Sequence, residues 1–311
     1  MPIFDYENSK VFFKDTFVPF KDATVSIASS PVLYGLSIYT VFSINWNEKE
    51  KKRYAFRLKD HYRRLVNSAR IMDFCSFADA WPYEKFEATI CDLVKQNDPK
   101  EDVLVRATVF ADAIIAGTKI HNLPHVLAAY LYPMGEILSR SGVHVCVSSW
   151  TRNPDNAIPP RAKVNGGYAN ACLMKNEALL NGYDDAIALD GQGHVTEGTV
   201  ANIFLVRDGV LVTPSVGTDI LEGITRDSIV KIARDMNIQI EERPVDRSEL
   251  YIAEEAFFCG SSARVTPIIS IDKRKVGNGT PGAITEKLFR EYDGIQRGTA
   301  PGIHKEWRME I

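Results

Sequence analysis

The sequence has few of the residue patterns that bind metals or support thiol chemistry. Its five cysteines lie far apart, at Cys75, Cys91, Cys146, Cys172 and Cys259, and no two of them form a CxxC pair. This spacing excludes zinc and thioredoxin-like sites, and an odd number of separated cysteines fits buried thiols in a reducing compartment. The six histidines form no spaced cluster, so we assign neither a metal site nor a Ser–His nucleophile.

The sequence also lacks an excess of positive charge and a long apolar run. It has 37 Lys and Arg against 40 Asp and Glu, interleaved along the chain, and this balance argues against a general nucleic-acid binder. No segment reaches about 18 uninterrupted apolar residues, the length needed to span a membrane. The first residues, Met1–Tyr6, have no basic region followed by an apolar core, so they do not resemble a secretory signal. We expect a cytoplasmic protein that binds neither nucleic acid nor membrane.

The remaining composition is that of a folded protein with a substantial core. Hydrophobic residues make up 45% and charged residues 25% of the 311 positions, with no internal repeat or low-complexity run. This length fits one large or two medium domains. The short, mixed segment 133–141 predicts a linker between a small N-terminal domain, 1–132, and a larger C-terminal domain, 142–311.

Apolar periodicity predicts a mixed α/β (α+β) protein. Apolar residues at steps of three and four predict helices at Leu58–Met72, Phe86–Val94, Tyr168–Leu180 and Thr225–Met236. Alternating or β-branched apolar runs predict strands at Val11–Phe13, Phe17–Phe20, Ile38–Phe42, Val103–Phe110, Pro124–Tyr132, Val143–Trp150, Asp185–Asp190, His194–Thr196, Ala201–Val206, Val210–Val212 and Ala256–Cys259.

One lysine has an unusual setting. Lys163 follows the run Pro159–Ala162 and precedes Gly166 and Gly167, so its backbone is expected to form neither a helix nor a long strand. Two glycines beside a lysine also allow a second backbone or a flat ligand to approach closely. Taken alone, a lysine is most often a solvated surface charge, and the case for Lys163 depends on what accompanies it.

Two further features supply the partners that such a lysine needs. Glu197 follows the turn Asp190–Gly193 and precedes an apolar run, and Gly223 to Thr225 begins a predicted helix. A helix start binds phosphate well, because its N–H groups carry a partial positive charge. An amine, a carboxylate that could pair with a protonated ring nitrogen and a phosphate site are the parts of a pyridoxal phosphate (PLP) enzyme.

In this order, the motifs resemble those of the class IV (fold type IV) PLP-dependent aminotransferases, and most of all the branched-chain amino acid aminotransferases. The motifs are Lys163, Tyr168, Glu197-Gly198, Asn202-Ile203-Phe204, Gly223-Ile224-Thr225-Arg226, Gly260-Ser261-Ser262 and Thr266-Pro267. The resemblance runs from about Phe12 to about Gly298. It implies a two-domain fold with PLP at the domain interface, amino acid and 2-oxo acid substrates, and a homodimer or higher oligomer.

The resemblance assigns cofactor roles to individual residues. Lys163 would attach PLP covalently and then move the proton between the substrate and the cofactor. Glu197 would pair with the pyridine nitrogen, and Tyr168 would hydrogen-bond the phenolic oxygen. The phosphate would be held by Arg64, Ile224, Thr225 and Ser261. Arg63 is the neighbour that could be confused with Arg64.

The resemblance also places Tyr34, Arg106 and Ser262 around the substrate. The residue types alone leave other interpretations open. Tyr34 could equally be a core tyrosine beside a turn glycine. Arg106, which alternates with apolar neighbours in a predicted strand, could bind a substrate carboxylate or take part in a structural salt bridge.

The chain departs from the branched-chain pattern at four places. Tyr39-Thr40-Val41 stands where these enzymes usually have Phe-Glu-Gly, Leu104 replaces a tyrosine, the segment 133–141 is short, and Ser261-Ser262 replaces Thr and Ala. The threonine at position 40 resembles the pattern of aminodeoxychorismate lyase, a relative with the same fold.

These departures leave two catalytic hypotheses open. One is transamination of branched-chain L-amino acids with 2-oxoglutarate. The other keeps the cofactor but acts on D-amino acids, (R)-amines or aminodeoxychorismate. A non-catalytic PLP-binding homologue is a third possibility, but it predicts the loss of Lys163 or Glu197, and both are present.

Overall fold

The computed structural model describes residues 4–5, 7–74, 76–115, 117–135, 138–300 and 302–311. The chain divides into two compact units. The first comprises Met1–Gly135, Ala162–Gly166 and Gly294–Ile311, and the second comprises Glu136–Arg161 and Gly167–Asp293. The first passage from one unit to the other falls within the segment 133–141, and the first unit includes two later segments of the chain. The domains 1–132 and 142–311 remain a prediction.

The elements are numbered here in chain order. The strands are β1 (Lys10–Phe13), β2 (Thr16–Pro19), β3 (Ser37–Asn47), β4 (Lys52–Phe56), β5 (Val103–Ala111), β6 (His125–Pro133), β7 (Val143–Thr151), β8 (Asp185–Leu189), β9 (Val195–Gly198), β10 (Asn202–Arg207), β11 (Val210–Thr213), β12 (Ile240–Glu242), β13 (Glu255–Gly260), β14 (Arg264–Ile271), β15 (Arg274–Lys275) and β16 (Arg308–Glu310). The helices are α1 (Ser30–Tyr34), α2 (Leu58–Ile71), α3 (Phe77–Ala80), α4 (Tyr83–Asn97), α5 (Tyr168–Leu180), α6 (Ile224–Asp235) and α7 (Ala283–Arg297).

The first unit contains an antiparallel sheet with the strand order β16-β4-β3-β5-β6-β1-β2. Its central strand β5 buries Val103, Val105, Ala107 and Val109, the face that alternation predicts. These side chains share a core with residues of α2 and α4. The strand β2 lies at the sheet edge and ends at Pro19, as expected for a residue that cannot donate to a ladder.

The second unit contains a mixed sheet with the order β12-β11-β10-β13-β14-β7-β8-β9, and β15 pairs with β14. The β11–β12, β14–β7 and β7–β8 pairs are parallel, and the other pairs are antiparallel. The helix α5 packs on β7 and β8 through Ala171, Met174 and Ala178. The helix α6 buries Ile229, Ile232 and Ala233.

The mixed helix and strand class predicted from the sequence is confirmed. Each helix and strand predicted above overlaps an observed element, and α5 has the predicted bounds. In the part of the chain that the structure describes, no helix combines the length and apolar character needed to cross a bilayer. The same residues contain no group of three or more His, Cys, Asp or Glu that could hold a metal ion.

Candidate active site

Lys163 belongs to the first unit, where hydrogen bonds hold its backbone on both sides. Its N–H donates to the Ser68 hydroxyl on α2 at 3.1 Å, and its carbonyl accepts from the N–H of Tyr39 on β3 at 3.0 Å. The next residue, Val164, forms an antiparallel bridge with Ile38. The segment is therefore a short addition to β3, and the position of Lys163 is fixed through the main chain.

Two glycines bring this segment close to the end of α1. Gly35 has a φ of +66°, and a Cβ built on it would lie 2.6 Å from the Cα of Gly166. Glycine is required at position 35 for both reasons, since other residues rarely adopt this φ and a side chain would strike the facing backbone. The close approach expected beside Lys163 is thus found at Gly166, and the second backbone is that of Gly35.

The ring of Tyr39 lies close to two cationic side chains. The Nζ of Lys163 is 4.8 Å from the ring centroid, and the Cζ of Arg106 is 3.7 Å from it. Arg106 donates to the Oδ1 of Asn165, whose amide donates to the Ser37 hydroxyl at 2.8 Å. Both cations can interact with the face of the ring. An amine and a guanidinium that share one aromatic side chain form a site suited to an anionic ligand.

The structural alternatives raised for two of these residues are not observed. Arg106 forms no ion pair within the described residues of its unit, so the salt-bridge interpretation finds no partner there. Tyr34 ends α1 with 37% of its surface exposed, and its hydroxyl accepts from the N–H of Gly117 at 3.1 Å. It is therefore not a core tyrosine in this chain.

The helix α2 distinguishes the two candidate arginines. The side chain of Arg63 is 67% exposed and forms an ion pair with Asp60. Arg64 is half-buried, and its Nη2 donates to the Thr40 hydroxyl at 3.4 Å. The same Thr40 oxygen lies 2.9 Å from the Nδ1 of His61. Burial, followed by the charges of Arg64 and other nearby cations, holds the pKa of His61 well below its usual value.

Glu197 lies in the second unit and is held through its carboxylate. The residue is 4% exposed, and its Oε1 pairs with the guanidinium of Arg152 at 2.6 Å. Its Oε2 accepts from the Asn202 amide at 2.9 Å and from the N–H of Leu221 at 3.3 Å. A buried carboxylate that contacts a guanidinium and two N–H donors is held in one orientation.

Asn202 connects this carboxylate with the start of α6. Its amide also donates to the Leu221 carbonyl at 3.0 Å. A Cβ built on Gly223 would lie only 2.0 Å from the Oδ1 of Asn202. Gly223 is the N-cap of α6, and among the described residues no side chain caps it by a hydrogen bond. The helix begins with Ile224 and Thr225, as predicted. The Thr225 hydroxyl is 3.3 Å from that of Tyr292.

The other residues predicted in this unit occupy two further places. Tyr168 is the first residue of α5, half-buried beside the apolar contacts of that helix with the sheet. Ser261 and Ser262 form the half-buried turn between β13 and β14, which closes at the pair Gly260 and Arg264. The structure thus groups Lys163 with Arg106 in one unit, and groups Glu197 with the α6 start in the other.

The sequence analysis did not single out His61, Ser68, Asn165 or Arg152. A signal existed for the first two, because buried polar residues seven positions apart lie on one face of a helix. His61 and Ser68 interrupt the apolar face of α2, and both are almost completely buried. Asn165 and Arg152 had no comparable signal, since their partners come from distant positions in the chain.

Comparison with known proteins assigns the family. A family model described as amino-transferase class IV matches residues 37–271. A probable branched-chain-amino-acid aminotransferase of Aquifex aeolicus is 39% identical over 303 residues, covering 96% of both chains. The sheets, the lysine and the buried carboxylate described above therefore belong to an aminotransferase. The chain is a member of the class IV aminotransferase family.

Solved structures agree with this assignment. A branched-chain aminotransferase from Thermoproteus uzoniensis with norvaline superimposes with a TM-score of 0.90 at 35% identity, covering 97% of this chain and 99% of the other. A branched-chain amino acid aminotransferase from Thermobaculum terrenum in its PLP form gives a TM-score of 0.88 at 32% identity, covering 98% and 99%. The fold type expected from the sequence is confirmed.

Proposed function

We propose that the protein transfers the amino group of branched-chain L-amino acids to 2-oxoglutarate, with PLP as its cofactor. The observation that carries this proposal is the similarity, over 96% of both chains, to a relative named as a probable branched-chain-amino-acid aminotransferase. Class IV aminotransferases use PLP, and the similar structure from Thermobaculum terrenum is a PLP form. Lys163 and Glu197, which the non-catalytic alternative predicts to be lost, are both present.

The residues of this chain fit the cofactor. Glu197 is buried and its carboxylate is held by Arg152, so it would give a protonated ring nitrogen an acidic partner of fixed orientation. The start of α6 has a glycine N-cap, and a Cβ at Gly223 would strike the Asn202 side chain. The main-chain N–H groups at a helix start suit a phosphate group, which binds such donors.

When bound, PLP supplies a ring that accepts electrons from the substrate α-carbon. Lys163 would attach the cofactor through its Nζ, and after release the same amine would take the proton from the substrate α-carbon and deliver it to the C4′ carbon of the cofactor. The Tyr39 ring limits the directions in which this side chain can extend. Glu197 would hold a proton on the ring nitrogen, and Tyr168 would donate to the phenolic oxygen.

Four residues are proposed to hold the phosphate. Arg64 would supply a guanidinium, and Ile224 and Thr225 would supply main-chain N–H groups. The Thr225 hydroxyl is near that of Tyr292, which leaves the main chain as the expected donor at this position. Ser261 would add a hydroxyl from the β13–β14 turn.

Three residues are proposed to contact the substrate. Arg106 would bind a carboxylate, because its guanidinium has no ion-pair partner within the described residues of its unit. Tyr34 presents a partly exposed ring, and Ser262 a half-buried hydroxyl, so both can contact a ligand.

The departure at Tyr39-Thr40-Val41 favours a second candidate function, in which the enzyme uses the same cofactor on a different substrate. D-amino acids, (R)-amines and aminodeoxychorismate are the substrates of this alternative. Thr40, however, is completely buried, and its hydroxyl is bonded to His61 and Arg64. Its hydroxyl therefore faces α2, and the similarity to aminodeoxychorismate lyase at this position supplies no group for the substrate.

The visible spectrum of the purified protein tests the proposal. We expect a yellow protein that loses its visible band in favour of a near-ultraviolet band when L-leucine is added without an amino acceptor. A yellow protein that responds only to D-alanine, an (R)-amine or aminodeoxychorismate would replace the branched-chain assignment with the second candidate. A colourless protein that PLP cannot reconstitute would contradict the role of Lys163.

We also propose a homodimer or higher oligomer located in the cytoplasm. Val32 and Leu33 on α1 and the nearby Ile114 are each more than half exposed, which is unusual for large apolar side chains that face water. The described cysteines, Cys91, Cys146, Cys172 and Cys259, are free thiols, in keeping with a reducing compartment. Sedimentation under assay conditions checks the first proposal, and a monomer alone would contradict it.

A further inference from the structure

The proposed roles leave two buried polar residues of the first unit unexplained. His61 is 1% exposed and Thr40 is 0% exposed. Their side chains are 2.9 Å apart, from Nδ1 to Oγ1, and the Thr40 oxygen also lies 3.4 Å from the Nη2 of Arg64. Buried polar groups are costly unless they are hydrogen-bonded, so two of them beside a half-buried arginine call for a reason.

The chemistry of the three groups constrains the direction of their hydrogen bonds. A guanidinium can only donate, so the Thr40 oxygen accepts from Arg64. The Thr40 hydroxyl hydrogen can then be donated to the Nδ1 of His61 when the ring is the neutral tautomer with its proton on Nε2. The lowered pKa of His61, caused by burial and by the nearby cations, agrees with this arrangement.

The hydrogen bond to Thr40 holds the guanidinium of Arg64, and a separate hydrogen bond holds its main chain. The Ser68 hydroxyl donates to the Arg64 carbonyl at 2.9 Å. A hydroxyl that donates to one partner becomes a stronger acceptor for another, because hydrogen bonds in a chain polarise one another. A hydrogen bond from Thr40 to His61 therefore strengthens the bond that Thr40 accepts from Arg64. An arginine held in this way loses less rotational freedom when it binds an anion.

We propose that Thr40 and His61 are positioning residues that orient the guanidinium of Arg64 toward the phosphate group of the cofactor. The proposal rests on the phosphate role of Arg64 stated above. It also gives a reason for the threonine at position 40, where related branched-chain enzymes usually have glutamate. A glutamate here would pair with Arg64 directly, whereas a threonine orients it without neutralising its charge.

Binding of two ligands to the cofactor-free full-length protein tests the proposal. PLP and pyridoxal differ only in the phosphate, so the ratio of their dissociation constants reports the phosphate contacts alone. We expect Thr40→Val, which removes the hydroxyl but keeps the shape, to weaken PLP binding about tenfold and to leave pyridoxal binding within about twofold. Thr40→Ser, which retains the hydroxyl, should restore the PLP preference.

The matched control is Thr89→Val on α4. Its hydroxyl donates to the Lys85 carbonyl at 2.9 Å in the same unit, far from these residues in the chain, and its loss should leave the ratio unchanged. Thr40→Ala is a second variant without the hydroxyl, for use if valine disturbs folding. A general loss of structure would weaken both ligands equally, so an unchanged ratio with both affinities reduced would assign Thr40 a purely structural role and overturn the proposal.

Arg64→Gln separates this inference from the proposed function. If Arg64→Gln keeps the wild-type preference for PLP over pyridoxal, the phosphate role of Arg64 is wrong. If Arg64→Gln abolishes the preference while Thr40→Val and Thr40→Ala keep it, Arg64 binds phosphate and the positioning role is wrong. Loss of the preference in all three variants, with rescue by Thr40→Ser, is the result we expect.

Discussion

Lys163 and Glu197 are held in opposite ways. The main chain of Lys163 is bonded to Ser68 and Tyr39, whereas its side chain extends along an aromatic ring. Glu197 is held by its carboxylate, which pairs with Arg152 and accepts hydrogen bonds from the Asn202 amide and a main-chain N–H. The hydrogen bonds described for Lys163 hold its main chain, whereas Glu197, whose main chain lies in the strand β9, is also held by its carboxylate.

The difference corresponds to what each proposed role requires. A lysine that first binds the cofactor and then carries a proton must move its amine while its Cα stays in place. A carboxylate that keeps a ring nitrogen protonated must not move, because its effect depends on a constant short distance. The following variants test this comparison, from the largest expected effect to the smallest.

Replacement of Lys163 by alanine removes the moving group altogether. We expect kcat with L-leucine and 2-oxoglutarate to fall by about 10⁴-fold or more, since both covalent attachment and proton transfer are lost. Lys231→Ala on α6, whose lysine forms an ion pair with Asp227 at 2.8 Å, should retain wild-type kcat. Substantial turnover by Lys163→Ala would contradict the catalytic assignment.

Glu197→Gln keeps the shape of the fixed group but removes its charge. We expect kcat to fall by about 10²- to 10³-fold, the range for the loss of one preorganised electrostatic contact. Stability should also fall by about 3 kcal/mol, because Arg152 is left as a buried charge without its carboxylate. Steady-state kinetics and denaturant unfolding measure the two effects. Glu177→Gln, which alters a carboxylate bonded to Ser148, is the control and should leave kcat unchanged.

Asn202→Ala tests whether the Glu197 carboxylate needs the hydrogen bond from the Asn202 amide. The change leaves the Leu221 carbonyl and one Glu197 oxygen with fewer donors, which should cost about 1–3 kcal/mol of stability. We expect kcat to fall about tenfold, because the carboxylate gains freedom to move. Asn181→Ala, which removes an exposed amide bonded to the Glu177 carbonyl, serves as the comparison in thermal unfolding. Equal Tm values for the two variants would argue against a role for Asn202.

Ser68→Ala tests the hydrogen bond that holds the main chain of Lys163. The Lys163 N–H loses its acceptor, so we expect a loss of about 1 kcal/mol of stability and about a fivefold lower kcat. Thr89→Ala is the matched control, since it removes a similar bond to a helix carbonyl without a contact to Lys163. An effect of Ser68→Ala on stability with no change in kcat would show that the backbone bond is structural only.

Local patterns in the sequence were sufficient for most elements and for the order of the motifs. The predicted helix Tyr168–Leu180 has the observed bounds, and the helix start at Gly223 is where expected. Eight elements of the described chain were not predicted, namely β4, β12, β14, β15, β16, α1, α3 and α7. Two of them show different reasons. The strand β14 contains Pro267, a residue that argues against a strand interior. The helix α7 carried a readable signal in Ile284, Leu288 and Tyr292, spaced by four.

Long-range pairing was beyond the sequence analysis. The bridge between Ile38 and Val164 joins residues far apart in the chain, and no local pattern specifies which strand a short segment will extend. The choice between Arg63 and Arg64 rested on the family resemblance, and the structure now separates them by burial. The partners Arg152 and Asn165 could not be found, because a polar residue reveals its role only when its neighbours in space are known.

The composition of the first unit limits how this protein can be divided in the laboratory. Its residues come from three separate stretches of chain, and the middle one, Ala162–Gly166, contains the lysine. A fragment that ends at Gly135 would lack both Lys163 and the strand β16 beside β4. No single cut yields two fragments that each contain one whole unit, so split-protein reporters or domain exchanges with related enzymes must transfer at least three segments together.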